Sequence, residues 1–463
     1  TGQDGTNMGA YGVGCYIPSH EGPVWHVSTA GSDLNSGSEE YPFKTIQKGI
    51  DSASDSDTVL VQSGIYQENI NYSGKSIIVG SLTLVTGDTS YVSQTIIDAE
   101  DLGIVRAVVL SSGEDSTTSL IGLTIQNVQE YGIECINSSS VNIDHVVVKN
   151  CEQSGISIGT NSYFMANNVK IQDNHGSGLS ITDSEFELNN LYVHGNIFNG
   201  NGAGLDIRGS TGNINNTQIG YNYVEGQNSS GGGVYIDESS VNINDCIISN
   251  NSATVEGGGI RISSSPEVNI TNCQFIENST EGTGAGIFSR NSTLLISHSL
   301  FLDNTATVEG AAYKGIESNS TSFINCTLSG NQSNNIGESI YASSGDNVLI
   351  NSSILFELED GDDNEDIFLH QNATVNIEYS NIQGAEENIA IMNGGTLNML
   401  EGNINADPLF CDVENSDFAL NNNSPCIGAG QEGTDIGAFG IGCYDDYFGP
   451  TWYVSVDGND SAN

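Results

Sequence analysis

The feature that most constrains this sequence is a two-residue pattern that recurs every 23 to 29 residues through its central part. Each copy is a glycine or another small residue followed by an aliphatic or aromatic residue. The copies are Gly132-Ile133, Gly155-Ile156, Gly178-Leu179, Gly204-Leu205, Gly233-Val234, Gly259-Ile260, Gly286-Ile287, Ala312-Tyr313 and Ser339-Ile340. A period in the twenties with short β runs inside each repeat predicts a solenoid in which each repeat is one coil.

Two further series run in phase with this pattern. One is an alternating apolar–polar run: Val141-Asn142-Ile143, Val241-Asn242-Ile243, Val268-Asn269-Ile270, Leu294-Leu295-Ile296 and Val375-Asn376-Ile377. The other is an asparagine near the end of each unit: Asn150, Asn174, Asn196, Asn222, Asn251, Asn278, Asn304 and Asn331. Alternation directs the aliphatic residues inward, and asparagine tolerates left-handed corners and can bond to its equivalents in adjacent coils. The three series together predict an all-β solenoid, a parallel β-helix.

The two ends of the chain carry the same motif. Residues 2–16 match residues 430–444, so that Cys15 corresponds to Cys443, and the match continues from Trp25 to Trp452. We expect the chain to hold one full unit and the joint to its neighbours, and to be processed or excerpted from a longer array. Two related end-caps on one protein are the alternative.

The domain boundaries follow from these series. We predict the tail or linker of a preceding unit at 1–24, a β-helix with its N-terminal cap at 25–404, a C-terminal cap and linker at 405–448, and the start of a next unit at 449–463. One short capping helix is expected at about 42–54, because Pro42 suits a first helical position and Phe43, Ile46 and Ile50 fall on one face.

The charge balance narrows the class of partner. The chain has 58 acidic residues against 10 Lys and Arg, for a net charge of −48. Nucleic acid and anionic membrane surfaces are poor partners for such a chain. No apolar run approaches the length that spans a bilayer, so membrane insertion is not expected.

The nine cysteines fall into groups. Alternation places Cys246, Cys273 and Cys326 at one inward position of successive coils, with Ser299 between them, and predicts a buried stack. The disulfide candidates are Cys411, Cys426, Cys443 and Cys15. Cys411 and Cys426 flank a short strand and could form a staple, with Cys443 as a third member or paired elsewhere. Cys135 and Cys151 have no obvious partner.

Two segments carry a family resemblance. The first includes WHVS at 25–28 and YPFKTIQKGI at 41–50; the second includes DPLFC at 407–411 and SPCIG at 424–428. They resemble the opening and closing motifs of secreted right-handed parallel β-helix proteins, the pectate-lyase-like superfamily. The resemblance implies a right-handed helix and an extracellular or cell-surface location. It does not imply an activity, because that group includes lyases, hydrolases, adhesins and fibre modules.

Catalysis of the pectate-lyase kind would require a basic residue and, usually, Ca²⁺ held by aspartates. The four arginines are Arg106, Arg208, Arg261 and Arg290. The last three follow the glycine–aliphatic pairs and could form a row, accompanied only by Asp206 and Asp237. No pair of carboxylates stands out as hydrolysis would require, so we expect no enzymatic activity.

Other candidate sites are weaker. The acidic loop offers Asp362, Asp363, Glu365 and Asp366 as weak Ca²⁺ ligands; a solvated loop is the preferred interpretation, and no other cofactor is expected. Glycosylation could occur at the sequons of Asn71, Asn137, Asn228, Asn291, Asn319 and Asn372.

The sequence favours a structural function. We predict a non-enzymatic unit of an extracellular filament or giant cell-surface protein, whose partners are neighbouring units joined head to tail and other glycans or surface polymers. The joint would involve Trp25, Cys15, Cys443 and Trp452. A polysaccharide-binding or polysaccharide-cleaving enzyme and a surface adhesin are the alternatives. An enzyme should show clustered carboxylates, a cation and aromatic residues along a groove.

Overall fold

The computed structural model describes residues 20–100, 103, 105–357 and 365–444. Within these ranges the chain winds into a parallel solenoid, and each coil passes through sheets that we number 1, 2 and 3 in the order of the chain. Equivalent strands of successive coils pair in register, as Val141 does with Phe164 and Ile143 with Ala166. The predicted all-β solenoid is therefore confirmed.

Sheet 1 contains 15 strands in the described part of the chain. They are Val24–Val27, Thr58–Val61, Ile78–Ser81, Ser119–Ile121, Ser140–Asp144, Tyr163–Asn167, Glu185–Asn189, Thr211–Asn215, Ser240–Asn244, Glu267–Thr271, Thr293–Ser297, Ser320–Ile324, Asn347–Asn351, Thr374–Glu378 and Thr396–Met399. Many of its outward residues in the middle coils are asparagine and serine, accompanied by Glu185, Glu187 and Glu267, so this face is polar there.

Sheets 2 and 3 contain 13 strands each among the described residues. Those of sheet 2 are Gly64–Tyr66, Thr95–Asp98, Thr124–Val128, Val147–Cys151, Lys170–Gln172, Tyr192–His194, Gln218–Gly220, Ile247–Ser249, Gln274–Ile276, Leu300–Leu302, Thr327–Ser329, Ile354–Leu355 and Asn381–Ile382. Those of sheet 3 are Ile70–Asn71, Arg106–Leu110, Tyr131–Cys135, Ile156–Ile158, Leu179–Thr182, Leu205–Arg208, Val234–Asp237, Ile260–Ser263, Ile287–Arg290, Tyr313–Ile316, Ile340–Ser343, Ile367–Leu369 and Ile389–Ile391.

Six successive coils add a short strand between sheets 2 and 3, which forms sheet 4. Its strands are Ile197–Phe198, Tyr223–Val224, Ser252–Ala253, Ser279–Thr280, Thr305–Ala306 and Gln332–Ser333. The extra strand gives these coils a bend beside sheet 3.

A ladder of buried asparagines closes the corner after sheet 2. Asn251 Nδ2 donates to the carbonyl oxygen of Ile219 at 2.9 Å, and its Oδ1 accepts from the backbone N–H of Asn222 at 3.1 Å. The ladder runs from Asn174 to Asn331. Asn150, which we placed in it, lies one residue earlier at the left-handed corner; Cys151 occupies the ladder position and donates its N–H to Asn174.

The N-terminal helix is shorter than predicted. It spans Ile46–Ser52, and Thr45 is its N-cap residue, which accepts a bond from the N–H of Lys48. The prediction that the helix begins at Pro42 is wrong, because the carboxylate of Asp33 accepts bonds from the N–H groups of Lys44 and Thr45. These bonds hold the preceding residues in a loop. The described residues contain one further short α-helix, Thr83–Thr86, and four 3₁₀ helices, at Thr89–Ser93, Ala385–Asn388, Val413–Asn415 and Gln431–Gly433.

The C-terminal segment folds back onto sheet 2. Its strands Phe410–Asp412, Asp417–Asn421 and Ile441–Cys443 form a small sheet, and Phe418 packs on Leu300 and Leu302. A disulfide joins Cys411 to Cys443. The staple expected between Cys411 and Cys426 does not form, because Cys426 is buried with Ile354, Leu420 and Ile436 and its Sγ accepts from Asn381.

The other cysteines in the described part of the chain are buried thiols. Cys246 and Cys273 are adjacent in the stack, and the N–H of Cys273 bonds to Ser299 Oγ at 3.1 Å. Burial raises the pKa of Cys326 to about 12, so this thiol stays protonated and unreactive. Cys135 and Cys151 are likewise buried and unpaired with sulfur.

The predicted joint is only partly in view. Trp25 lies in the first strand of sheet 1, where its Nε1 donates to Asp57 Oδ2 at 2.9 Å and its ring stacks on Phe43. Cys15 and Trp452 lie outside the described residues, and so does residue range 449–463. None of the helices in the described ranges is long and apolar enough to cross a membrane.

Candidate functional site

The outward face of sheet 3 brings together side chains that are far apart in sequence. Because alternate residues of each strand point outward, one outward residue per coil falls into a single column. In strand order the column is Glu134, Ser157, Ser180, Asp206, Tyr235, Arg261, Phe288, Lys314, Tyr341 and Phe368. Neighbouring strands lie about 4.8 Å apart. The first four side chains of the column are therefore acidic or small and polar. From Tyr235 to Tyr341, aromatic residues alternate with cationic residues.

A second outward column lies two residues further along each strand. It contains Arg208, Asp237, Ser263 and Arg290 in adjacent coils. All four arginines of a chain with a net charge of −48 lie on strands of sheet 3, with Arg106 at its N-terminal end and the other three in its middle coils. The predicted row of arginines is on this face, with Arg208 and Arg290 in the second column and Arg261 in the first. Asp206 lies in the first column and Asp237 in the second.

The segments that follow sheet 4 form a wall over the first column. Gly257 has φ +66°, and a Cβ there would lie 2.5 Å from the carbonyl oxygen of Ile260 and 2.7 Å from Arg261 Cβ. A side chain at this position would clash whatever its rotamer, so glycine is needed for the close approach. Gly231 and Gly310 approach Tyr235 and Lys314 in the same way, and these two residues are only 6% and 5% exposed although they point away from the core.

The buried rings hold the cations in place. Arg261 Nη1 donates to the hydroxyl oxygen of Tyr235 at 2.9 Å. The guanidinium carbon of Arg208 lies 4.6 Å from the Tyr235 ring centroid, and that of Arg261 lies 4.9 Å from it. Two arginines therefore share one ring, which fixes their orientation through cation–π attraction. Their side chains keep different access to solvent: Arg208 is 40% exposed and Arg261 12%.

Carboxylates pair with these cations. Glu256 contacts Arg261 and Arg290 at 3.2 Å each, and Glu309 pairs with Lys314. Lys314 Nζ in turn lies 3.3 Å from the centroid of the Tyr341 ring. Arg290 is 39% exposed and has one carboxylate partner, so it retains donors for a ligand.

Asp206 combines burial with a nearby cavity. Its Oδ1 accepts a 2.8 Å bond from Arg208 Nε, yet burial raises the pKa of Asp206 to about 6, because desolvation outweighs the attraction of the guanidinium. A cavity of about 290 Å³ opens beside it, lined among others by Tyr131, His175 and Phe198. The carboxyl group can both give and take a proton near neutral pH, which is what proton transfer to a bound ligand requires.

The N-terminal end of the same face holds a second buried carboxyl group. Glu134 lies 3.2 Å from Arg106, which also contacts Glu130. Burial raises the pKa of Glu134 despite the adjacent guanidinium. Three strand spacings, about 14 Å, separate Glu134 from Asp206. That distance is too long for a pair of carboxyl groups to act on one glycosidic bond.

The predicted Ca²⁺ ligands do not form a site among the described residues. Asp362 and Asp363 lie outside these residues. Asp366 is buried, and its Oδ2 accepts from Asn388 at 2.8 Å; the carbonyl of Glu365 accepts from the N–H of Glu338. In the described ranges there is no group of three or more acidic, histidine or cysteine side chains that could hold a metal ion. Because Asp362 and Asp363 lie outside the described residues, binding of Ca²⁺ by this loop stays a prediction.

The glycosylation candidates occupy turns and strand ends. Asn137, Asn228, Asn291, Asn319 and Asn372 are exposed, and Asn71 is half-buried. Modification of these side chains stays a prediction.

Several site residues escaped the sequence reasoning. Tyr235, Lys314 and Tyr341 each follow directly after the second member of a glycine–aliphatic pair or its equivalent, so the repeat could have revealed their column. Glu256 and Glu309 could not be placed in this way, because their contacts depend on the wall that follows sheet 4.

Comparisons with known proteins agree with this architecture. The fold is that of a right-handed parallel β-helix. The model of a family described as "Right handed beta helix region" matches residues 108–219 and 154–354, more than half of the chain. The chain belongs to this family. No curated protein matches the sequence significantly.

Solved structures show the same fold at very low sequence identity. Pectate lyase Pel9A is 13% identical, with 92% of this chain and 98% of that chain covered and a TM-score of 0.43. The catalytic domain of a GH87 α-1,3-glucanase is 11% identical over 84% and 70% of the two chains, with a TM-score of 0.42. A rhamnogalacturonan lyase is 11% identical over 85% and 92%, with a TM-score of 0.37.

These structures correct one prediction. We expected no enzymatic activity, but the solved structures of this fold that the chain resembles are mostly enzymes named for polysaccharides. The expectation of a non-enzymatic protein is therefore wrong. The likeness is one of fold, so any reaction of this chain has to be argued from its own side chains.

Proposed function

We propose that this protein binds an acidic polysaccharide along the face of sheet 3 and cleaves it beside Asp206. The observation that carries the proposal is the row of Arg208, Arg261 and Arg290, held by buried aromatic rings on one face of an otherwise strongly acidic chain. Guanidinium groups that are already oriented bind carboxylates with little further loss of side-chain entropy.

The shape of the face suits a polymer. Its columns repeat once per coil, so each column places one outward side chain about every 4.8 Å along the solenoid axis. An extended ligand running along the solenoid axis would meet Arg208 in one coil, Tyr235 and Asp237 in the next, and Arg261 and then Arg290 in the two coils after that. A small molecule would use only part of this row.

Asp206 and Asp237 supply the chemistry in this proposal. Arg208 pairs in register with Asp237, so Asp237 lies one strand and two residues from Asp206. One strand spacing and a two-residue offset separate their Cα atoms by about 8 Å, and both side chains leave the same face. Side chains that leave one face with this Cα separation can place their carboxyl groups at the distance of about 6.5–9.5 Å that is typical of inverting glycoside hydrolysis.

The proposed step is a hydrolysis. Asp206 gives its proton to the glycosidic oxygen while the bond between that oxygen and the anomeric carbon breaks. A water molecule bonds to the anomeric carbon from the opposite side, and Asp237 takes the proton that the water loses. One water molecule is consumed and two chain ends are formed. The pKa of Asp206, about 6, keeps part of the carboxyl groups protonated near neutral pH.

The test of binding compares two matched variants. Arg208→Gln removes a guanidinium group from the proposed binding row, whereas Arg106→Gln removes one of similar exposure from the far end of the same sheet. We expect affinity for acidic polysaccharides, measured by affinity electrophoresis, to fall about tenfold in the first variant and to stay unchanged in the second. Equal affinities of the two variants would contradict the proposal.

The test of cleavage follows the products. Release of reducing ends should disappear in Asp206→Asn, and proton NMR should show inversion at the new anomeric carbon. An unsaturated sugar at the new end would show elimination in place of hydrolysis.

Extracellular location and head-to-tail joining belong to the same proposal. A polymer-binding face on the middle coils leaves both ends of the solenoid available for neighbouring units, so the joint predicted from the duplicated ends is compatible with it. Other surface glycans, as an adhesin would bind, could occupy the same face.

A further inference from the structure

A second face of the solenoid, on sheet 2, carries an aromatic cluster that the proposed polysaccharide site does not use. The rings of Tyr192 and His194 are stacked, with centroids 5.2 Å apart and planes 8° apart. The ring of Tyr221, in the next coil, lies 4.9 Å from His194. We call Tyr192, His194 and Tyr221 the aromatic platform.

Tyr221 occupies a backbone position that does not favour it. The corner after sheet 2 is left-handed in successive coils, at Asn150, Asp173, Gly195, Tyr221, Asn250, Glu277, Asp303 and Gly330. Only Tyr221 among these is aromatic, with φ +56°. Asparagine and glycine adopt this conformation readily, whereas a bulky side chain is strained in it.

Burial does not compensate for this strain, because the Tyr221 side chain is 58% exposed. Residues with a strained backbone conformation are frequent at ligand-binding sites, where that conformation places a side chain that the ligand requires. The position of Tyr221 thus points to a ligand that stacks on its ring, independently of the cluster itself.

A cavity of about 490 Å³ adjoins the platform. Its lining includes His145, Asn168, Lys170, Asn190 and Tyr192. Among the described residues that line it there is no carboxylate, although the chain has 58. Asp144, at its edge, pairs with His145 and accepts from Asn168.

The surroundings leave this part of sheet 2 open. Towards the N-terminus, the turn Thr89–Ser93 covers the strand that begins at Thr124, whose hydroxyl donates to the carbonyl of Val92. Towards the C-terminus, Val413 and Phe418 pack over Ile276, Leu300 and Leu302. The platform and its cavity lie on the open part of sheet 2 between these two covering segments. We call this open part the window.

We infer that this window is a saccharide-binding site separate from the face of sheet 3, and that it takes a sugar unit bearing an acidic group. The apolar face of the sugar ring would stack on the aromatic platform, as flat apolar surfaces do on exposed rings. Lys170 would bind the acidic group, and the amides of Asn168 and Asn190 would bond to hydroxyl groups.

The experiment uses titration calorimetry of the whole protein with a galacturonic acid tetrasaccharide and, as the neutral probe, xylotetraose. Wild-type protein should bind two acidic tetrasaccharides per chain, one on each face. Tyr221→Asn should retain one and lose at least tenfold in affinity at the other, and its melting temperature should rise because asparagine suits the left-handed corner. Lys170→Gln should weaken the same site, whereas Lys44→Gln, at an exposed position near the N-terminal helix, should not.

The outcomes separate this inference from the proposed function. If Tyr221→Asn binds with unchanged stoichiometry and affinity, the sheet 2 site is overturned, whatever the sheet 3 variants do. If xylotetraose binds the window as tightly as the acidic probe, the requirement for an acidic group is overturned. Loss of one site in Tyr221→Asn and of the other in Arg208→Gln supports both sites.

Discussion

Arg261 donates a hydrogen bond from Nη1 to the hydroxyl oxygen of Tyr235 at 2.9 Å, although the two residues belong to different coils and lie 26 positions apart. The bond directs a guanidinium group along the face of sheet 3. We expect Tyr235→Phe to keep the ring and lose this bond, and to lower polysaccharide affinity about two- to tenfold, the value of one hydrogen bond. Tyr235→Ala should lower it further. Affinity electrophoresis measures both, and Tyr163→Phe, on sheet 1, is the control.

The buried asparagine ladder should stabilise the coils. Asn251→Ala removes an amide that bonds to Ile219, Asn222 and Asn278 and leaves buried backbone groups without partners. Each such group costs about 1–3 kcal/mol, so we expect the free energy of unfolding in urea to fall by several kcal/mol.

The exposed asparagines of sheet 1 provide the control for this ladder. Asn242 Nδ2 bonds to Asn213 at 2.9 Å, but water can replace that bond. Asn242→Ala should therefore lower the free energy of unfolding by less than about 1 kcal/mol. Equal losses in Asn251→Ala and Asn242→Ala would refute a special role of the buried ladder.

Asp346 should make stability depend on pH in an unusual direction. It is fully buried, Tyr313 donates to its Oδ2 at 3.3 Å, and burial raises its pKa to about 7. The unfolded carboxyl group titrates near its ordinary value of about 3.9. Between these values the folded protein binds more protons than the unfolded one, so this carboxyl group lowers stability as pH rises from about 4 to 7.

Asp346→Asn should remove that contribution. At about 1.4 kcal/mol per pKa unit, the shift of about three units corresponds to a loss of about 4 kcal/mol by pH 7 in the wild type. Urea unfolding at pH 4, 5.5 and 7 measures the slope, and Glu281→Gln, at an exposed position, is the control. A slope that is identical in wild type and Asp346→Asn would contradict the assignment.

The disulfide between Cys411 and Cys443 should secure the C-terminal segment on sheet 2. It closes a loop with a sequence separation of 32, for which the expected stabilisation is about 2–4 kcal/mol. In the double variant Cys411→Ser, Cys443→Ser we expect amide protons of Asp417–Asn421 to exchange faster, while those of Glu267–Thr271 keep their protection. Equal loss of amide protection in both strands would contradict this prediction, because it would mean that the C-terminal segment stabilises the whole solenoid.

The repeat could be predicted because coil geometry imposes it on the sequence. The second members of the glycine–aliphatic pairs, such as Ile133, Ile156 and Leu179, are in-register partners at the start of the inward column of sheet 3. The alternating run at Val141 is a strand of sheet 1. Stacking of equivalent residues leaves a periodic trace that one sequence is enough to reveal.

What could not be predicted depends on insertions and caps that break the period. In the coils with a sheet 4 strand, additional residues lie between sheets 2 and 3. The segment after that strand places Glu256 in contact with Arg261 and Arg290, and this segment lies outside the periodic pattern. The pairing of Cys411 with Cys443 in place of Cys426 depends on the path of the C-terminal segment. The proposed pair of Asp206 and Asp237 could not be found from the sequence, because the two residues belong to different repeats and become neighbours only in the folded chain.

The pair Asp206 and Asp237 is the centre of the proposed reaction, and one measurement tests it most directly. Acidic polysaccharide is incubated with wild-type protein, with Asp206→Asn and with Asp245→Asn, the last at an exposed corner between sheets 1 and 2. Reducing ends are then counted over time at pH 6. We expect equal release by wild type and Asp245→Asn and at least a hundredfold slower release by Asp206→Asn. Release that is undiminished in Asp206→Asn would contradict it.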